Sequence, residues 1–192
     1  MKEWILDLAA RLLTEADDVA QARSLGLAMA HPREAGASAY LSLCRLVGEA
    51  AEPAAAIAAL DSTEADAGIR VGALIVHGFA AVRGGYRSQS DARAARDALS
   101  ARAEASYPLI GEALGAAALD FAVRIVGEAV VQISRLPASM VPVVRVETAI
   151  SLPSSLIAYD LYGEPARGGE IVARNKSATP MLMPVLIEAL GV

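Results

Sequence analysis

Apolar residues near the start of the chain, Ile5, Leu8, Leu12, Val19, Leu25 and Met29, recur mostly at steps of three, four or seven. That period predicts a surface helix over residues 2–30 with one buried stripe and a break near residues 14–18. His31-Pro32 ends it, because a residue before proline is pushed out of the helical region. Tyr40, Leu43, Cys44 and Val47 mark a second helix over residues 33–50, and Pro53 suits the first turn of a third that reaches Leu60. Residues 61–64, Asp-Ser-Thr-Glu, read as the cap of a fourth helix over residues 65–82. Ile69, Val71, Leu74, Ile75, Val76, Phe79 and Val82 make that helix apolar on nearly every side, so it belongs in the middle of a bundle or in a subunit interface.

Gly84-Gly85 stops the fourth helix, and Ser88 or Ser90 can cap a polar, alanine-rich helix over residues 91–105. Tyr107-Pro108 reads as a boundary, after which residues 109–135 form the longest predicted helix, about 40 Å long. Its polar positions Glu112, Asp120, Arg124, Glu128, Gln132 and Arg135 make one narrow stripe, and apolar residues cover most of the remaining circumference. Two readings follow: a buried central helix, or one that packs partly against another subunit.

Beyond Leu136-Pro137 the pattern changes to alternation. Val144, Val146 and Thr148 lie on one side of a strand over residues 142–149, with Arg145 and Glu147 on the other. Ser151-Leu152-Pro153 supplies a cap and an early proline for a short helix ending at Tyr162, with Gly163 as its left-handed stop. Pro165 opens another short helix through Arg174, and Asn175 can stop it. Short helices are marginal alone, so both must lean on the strand. Residues 181–190 read as a second strand or a short helix. The expected fold is mainly α: a helical bundle over residues 1–140 and a small α+β module over residues 141–192.

Composition narrows the classes. The 192 residues are 55% hydrophobic, with 17 basic and 22 acidic side chains, and the scattered charges lack the basic cluster of a nucleic-acid footprint. The apolar runs at residues 71–82 and 113–119 are shorter than the ~20 residues that span a bilayer, and the start lacks the layout of a secretory signal. The sequence therefore reads as a non-membrane protein made in the cytoplasm. His31 and His77 read as structural, Cys44 as a small buried hydrophobe, and Asp17-Asp18 as a solvated face. No zinc spacing or serine-nucleophile elbow appears, and Gly84-Gly85 and Gly168-Gly169 read as turns rather than phosphate loops. No catalytic residue, metal or cofactor is expected.

Residues 152–175 read LPSSLIAYDLYGEPARGGEIVARN. This segment resembles the C-terminal region of the DNA circularisation (or circulation) protein family of Mu-type bacteriophage tails. Members of that family end with a leucine-proline entry, an apolar helix closing in Leu-Tyr-Gly, and a helix closing in Val-Ala-Arg-Asn. The matching residues are Leu152, Pro153, Leu156, Ala158, Tyr159, Leu161, Tyr162, Gly163 and the run from Glu170 to Asn175. A fainter likeness at residues 94–99 extends it over about the last hundred residues. Family members are generally longer, and their proline- and glycine-rich ending is replaced here by residues 176–192.

The resemblance implies a structural protein of the virion tail, near the baseplate and tube end, present in the host cytoplasm during assembly. Implied partners are tube, hub or baseplate proteins and further copies of the chain, with no sequence-specific nucleic acid contact. Leu152, Pro153, Leu156, Tyr159, Tyr162, Gly163, Arg174 and Asn175 become the candidate interaction residues. The same segment resembles, more loosely, the strand-helix-helix-strand plan of LysM modules. That likeness implies the alternative of a glycan-binding module on a helical carrier, with Tyr159 and Tyr162 available to stack on a sugar or to serve as core or interface residues.

Overall fold

A computed structural model describes residues 2–32, 34–60, 66–136 and 142–191. Among these the chain is mainly helical with one small sheet: α1 (Lys2–Leu12), α2 (Ala16–Ala28), α3 (Glu34–Ala50), α4 (Pro53–Ala58), α5 (Ala67–Val82), α6 (Gln89–Leu114), α7 (Ala116–Arg135), β1 (Val143–Glu147), α8 (Ser154–Tyr162), α9 (Gly168–Arg174) and β2 (Leu186–Leu190). It divides into two compact units, one of Met1–Gly85 with Ala92–Leu136, the other of Tyr86–Asp91 with Pro137–Val192.

The first unit is a helical bundle built around α5. Tyr40, Leu43, Cys44 and Val47 of α3 are buried as their helical spacing requires, and α5 buries every residue except Arg70, Phe79 and Val82. Two glycines let α3 and α5 come close. A Cβ at Gly48 would lie 3.0 Å from the Val76 carbonyl oxygen, and one at Gly72 would meet Trp4 at 2.9 Å and the Cys44 sulfur at 3.0 Å. Beside this contact the Tyr40 hydroxyl donates to the Gly68 carbonyl at 2.8 Å, and Arg83 donates to the carbonyls of Gly48 and Ala51 at the end of α3. Burial pushes the Cys44 thiol up to about 12, so it acts as the apolar filler expected of it.

Several sequence-based boundaries move. The first predicted helix is two, α1 and α2, separated where the break was expected. The cap of α5 is Asp66, which accepts from the Gly68 and Ile69 N–H groups; the predicted cap at residues 61–64 lies outside the described residues. Ser88 accepts from Asp91 N–H, as a cap should.

Pro108 does not end a helix. α6 runs through it to Leu114 because its buried residues Leu99, Ala103, Ser106 and Ile110 continue the same face on both sides, and that burial outweighs the roughly 3 kcal/mol cost of an internal proline. The true corner is Gly115, whose φ of 82° suits a residue without a Cβ. The predicted helix over residues 109–135 is therefore the end of α6 followed by α7, and α6 is the longest described helix.

The second unit has the order strand, helix, helix, strand. β1 and β2 pair antiparallel, from Val143 opposite Leu190 to Glu147 opposite Leu186. Residues 181–185 are loop, and the second strand starts only at Leu186. Ile157, Ala158, Ile171, Met183 and Ile187 form the core, with Val146, Leu152, Leu161, Tyr162 and Val172 packed against it. Each large apolar side chain buried there contributes about 2 kcal/mol, which is how helices of nine and seven residues persist.

Candidate functional site

The eight family-motif residues all fall in the second unit and divide by what they touch. Pro153 stands at the N-cap of α8, and its carbonyl accepts from Ile157 N–H at 3.1 Å. The preceding Leu152 carbonyl accepts from Met183 N–H at 3.0 Å, and Ser154 N–H donates to Pro180 at 2.7 Å. The chain entering α8 is thereby stitched to the loop before β2. Ser151 joins the stitch: its hydroxyl donates to the Met183 carbonyl instead of capping α8 as the sequence suggested.

Gly163 has a φ of 72° and closes α8 by donating to the Tyr159 carbonyl at 2.8 Å, the left-handed stop its position predicted. The Tyr162 hydroxyl accepts from Leu190 N–H at 2.9 Å, and the Arg167 guanidinium lies 3.7 Å from its ring centroid. Tyr162 thus ties α8 to β2, and one face of its ring is covered by a cation.

Asn175 does more than stop α9. Its amide NH2 donates to the Ile171 and Glu188 carbonyls at 2.9 Å, and its side-chain oxygen accepts from Glu188 N–H at 2.8 Å. The side chain therefore occupies the outer edge of β2 as a neighbouring strand would. The left-handed turn itself falls on Lys176, with φ of 48°, where Ser177 N–H reaches back to the Val172 carbonyl.

Arg174 is largely buried in an ionic cluster. Its guanidinium lies 3.6 Å from Asp91 and 3.9 Å from Glu170, and Glu170 also takes Arg167 at 3.1 Å. Asp91 comes from the separate segment of residues 86–91, which no local reading of residues 152–175 could associate with Arg174. Gly168-Gly169 is no turn: both residues start α9, and a Cβ on Gly168 would lie 2.9 Å from Ser155 N. The glycine is there so that α9 can approach the start of α8.

Leu156 and Tyr159 are the exceptions among the motif residues. They point out of the module from α8, with Tyr159 57% exposed. Ile150, Met181 and Leu182 are also bare and belong to the two stitched segments that frame the start of α8. Sequence reasoning missed these three, because isolated apolar residues in loops carry no periodicity.

The first unit has an apolar groove of about 340 Å³ between α5 and α7, lined by Gly78, Phe79, Val82, Ile125, Glu128, Ala129 and Gln132. His77 is buried next to Arg102, whose Nε donates to its Nδ1 at 3.1 Å. Burial first, and the neighbouring guanidinium second, hold His77 down at about 4, so it is neutral near pH 7. It is a satisfied interior histidine, consistent with the structural role read from its place in an apolar helix.

Among the described residues no group of three His, Cys, Asp or Glu is placed to hold a metal ion, and no helix is long and apolar enough to cross a membrane. Compared with protein-family models and with curated proteins, the chain matches none.

Proposed function

We propose that this chain is a structural component of a bacteriophage tail, in the baseplate or tube-end region, and that it works by protein-protein assembly. The observation that carries the reading is the division of the motif residues. Leu152, Pro153, Tyr162, Gly163, Arg174 and Asn175 build the C-terminal module, leaving Leu156 and Tyr159 exposed to engage a partner. Large apolar side chains presented on a braced frame lose little conformational entropy on docking. The proposed partners are tube, hub or baseplate proteins together with other copies of the chain. The proposed location is the virion tail, after assembly in the host cytoplasm.

The test is to purify tailed particles produced from a genome carrying this gene, identify the chain by mass spectrometry, and locate it by immunogold labelling. The expected result is label at one end of the tail. A Leu156→Arg, Tyr159→Ala variant should fold with an unchanged melting temperature and be lost from particles. Particles that never contain the chain overturn the reading.

One observation favours a second reading, glycan binding by a LysM-like module: the exposed Tyr159 ring offers a stacking surface. Tyr162 is less suited, with Arg167 against its ring. Co-sedimentation with peptidoglycan, abolished by Tyr159→Ala in the folded protein, would favour this alternative.

A further inference from the structure

α7 carries an apolar ridge that its own chain leaves bare. Val123 and Val131 are each 44% exposed, and Gly127 between them has no heavy atom within 4 Å of the position a Cβ would take. Spaced by four, these residues follow one another along the outer surface of the helix. They lie away from Ala122, Val126, Ala129 and Ile133, the residues through which α7 packs into its bundle. One flank of the ridge is charged. It carries Arg124, then Glu128, hydrogen-bonded to Gln132, and Arg135, while Asp120 stands at the N-terminal end of the ridge and pairs with Arg124 at 2.7 Å, both side chains well exposed.

The order of these residues is self-complementary on reversal. Turning α7 end for end about Gly127 lays Val123 over the position of Val131 and brings Gly127 onto itself. The same operation brings Arg124 within about 3 Å, along the axis, of a copy's Glu128, and Asp120 within about 1.5 Å of a copy's Arg135. A two-fold axis keeps the charged flank of one helix beside the charged flank of the other, so the opposite signs meet. In a parallel pair in register the two-fold would run along the helices and put the two charged flanks on opposite sides, where neither meets the other. Glycine at the crossing point lets two backbones approach to about 8 Å.

We propose that α7 pairs antiparallel with α7 of a second copy of this chain, about a two-fold axis through Gly127. Val123 of each copy packs on Val131 of the other, and Arg124 and Asp120 of each face Glu128 and Arg135 of the other. The pairing deepens the assembly reading and rests on it for its setting, since it names the surface through which copies meet.

Cysteine cross-linking of the full chain with a short bismaleimide tests the geometry, with the wild type, whose Cys44 is buried, as control. Gly127→Cys should link to itself. A mixture of Val123→Cys and Val131→Cys chains should link more efficiently than either alone. Sedimentation equilibrium tests the charges: Arg124→Glu should weaken dimerisation about five- to tenfold, and adding Glu128→Arg should restore it. Both changes are on exposed side chains, and unchanged circular dichroism shows that the fold is kept. Self-linkage dominated by Val123→Cys, no linkage at Gly127→Cys, or a dimer constant indifferent to Arg124→Glu overturns the pairing. A chain that enters tail particles without forming these links removes the two-fold and leaves the tail reading intact. A chain that forms them yet never enters particles supports the pairing and refutes the tail reading.

Discussion

α5 and α7 are both rich in Val, Ile and Ala, and both belong to the first unit, yet α5 leaves only Arg70, Phe79 and Val82 partly exposed whereas α7 buries only Ala122, Val126, Ala129 and Ile133. The difference lies in how polarity is distributed around each helix. The two strongly polar residues of α5 are accommodated, with His77 taking a hydrogen bond from Arg102 and Arg70 half-buried. Those of α7 form one exposed stripe, Asp120, Arg124 and Glu128 with the half-buried Gln132, which keeps that side of the helix out of its own chain's core. Glycine separates the two helices further. Gly72 sits where another side chain already fills the space, and Gly127 faces open space. Similar composition therefore produces a core helix in one case and a surface helix with a bare ridge in the other.

The strongest way to break this comparison is to add one methyl group to each helix. Gly72→Ala must displace Tyr40, Trp4 or Cys44 and should destabilise by about 3 kcal/mol. Gly127→Ala in dilute solution should be neutral or stabilise by up to about 1 kcal/mol through helix propensity. Urea unfolding of both variants would show it, and equal effects would refute the contrast.

Acid should act on α5 next. His77 titrates at about 4 in the fold against an ordinary value near 6.5, so between those values the unfolded chain binds a proton that the folded chain refuses. The stability held by the neutral imidazole is complete above about pH 6.5 and is lost as pH falls toward 4, amounting to about 2–3 kcal/mol. His77→Gln, which keeps an acceptor for Arg102, should flatten that part of the stability-pH curve. A curve of unchanged slope would contradict it.

The two sides of α7 can then be compared with each other. Val126→Ala, on the packed side, should cost about 1–2 kcal/mol, while Val131→Ala in dilute solution should lie within about 0.5 kcal/mol of wild type. Smallest of all, Arg124→Ala removes an exposed pair with Asp120 and should cost no more than about 0.5 kcal/mol, with most of that gone in high salt. Thermal melts of the three variants at two salt concentrations would rank them.

Much of the helical layout was legible because each helix carries its own period and punctuation. The break between α1 and α2, the proline start of α4 and the Gly163 stop of α8 all stand where local signals put them. Local signals failed where tertiary contacts outweighed them. Pro108 reads as a boundary, but burial of Leu99, Ala103 and Ile110 carries α6 through it. Gly168-Gly169 reads as a turn inside the helix expected from Pro165 to Arg174; the helix holds over both glycines, and Gly168 lets it pass close to the start of α8. In the candidate site, the sequence could nominate Tyr162 and Asn175 as motif residues without saying that one bonds Leu190 and the other Glu188. It had no means of associating Asp91 with Arg174.

The amino-acid order alone determined that the chain is mainly helical, that its C-terminal part alternates into a strand followed by two short helices, and that two of its helices carry an excess of apolar surface. Periodicity is a local property, written in residues three, four or two apart. Which excess is covered, and which motif residues brace the module or stay bare, was decided only by the tertiary structure. Burial depends on which distant segments arrive at a face and on whether a glycine leaves them room.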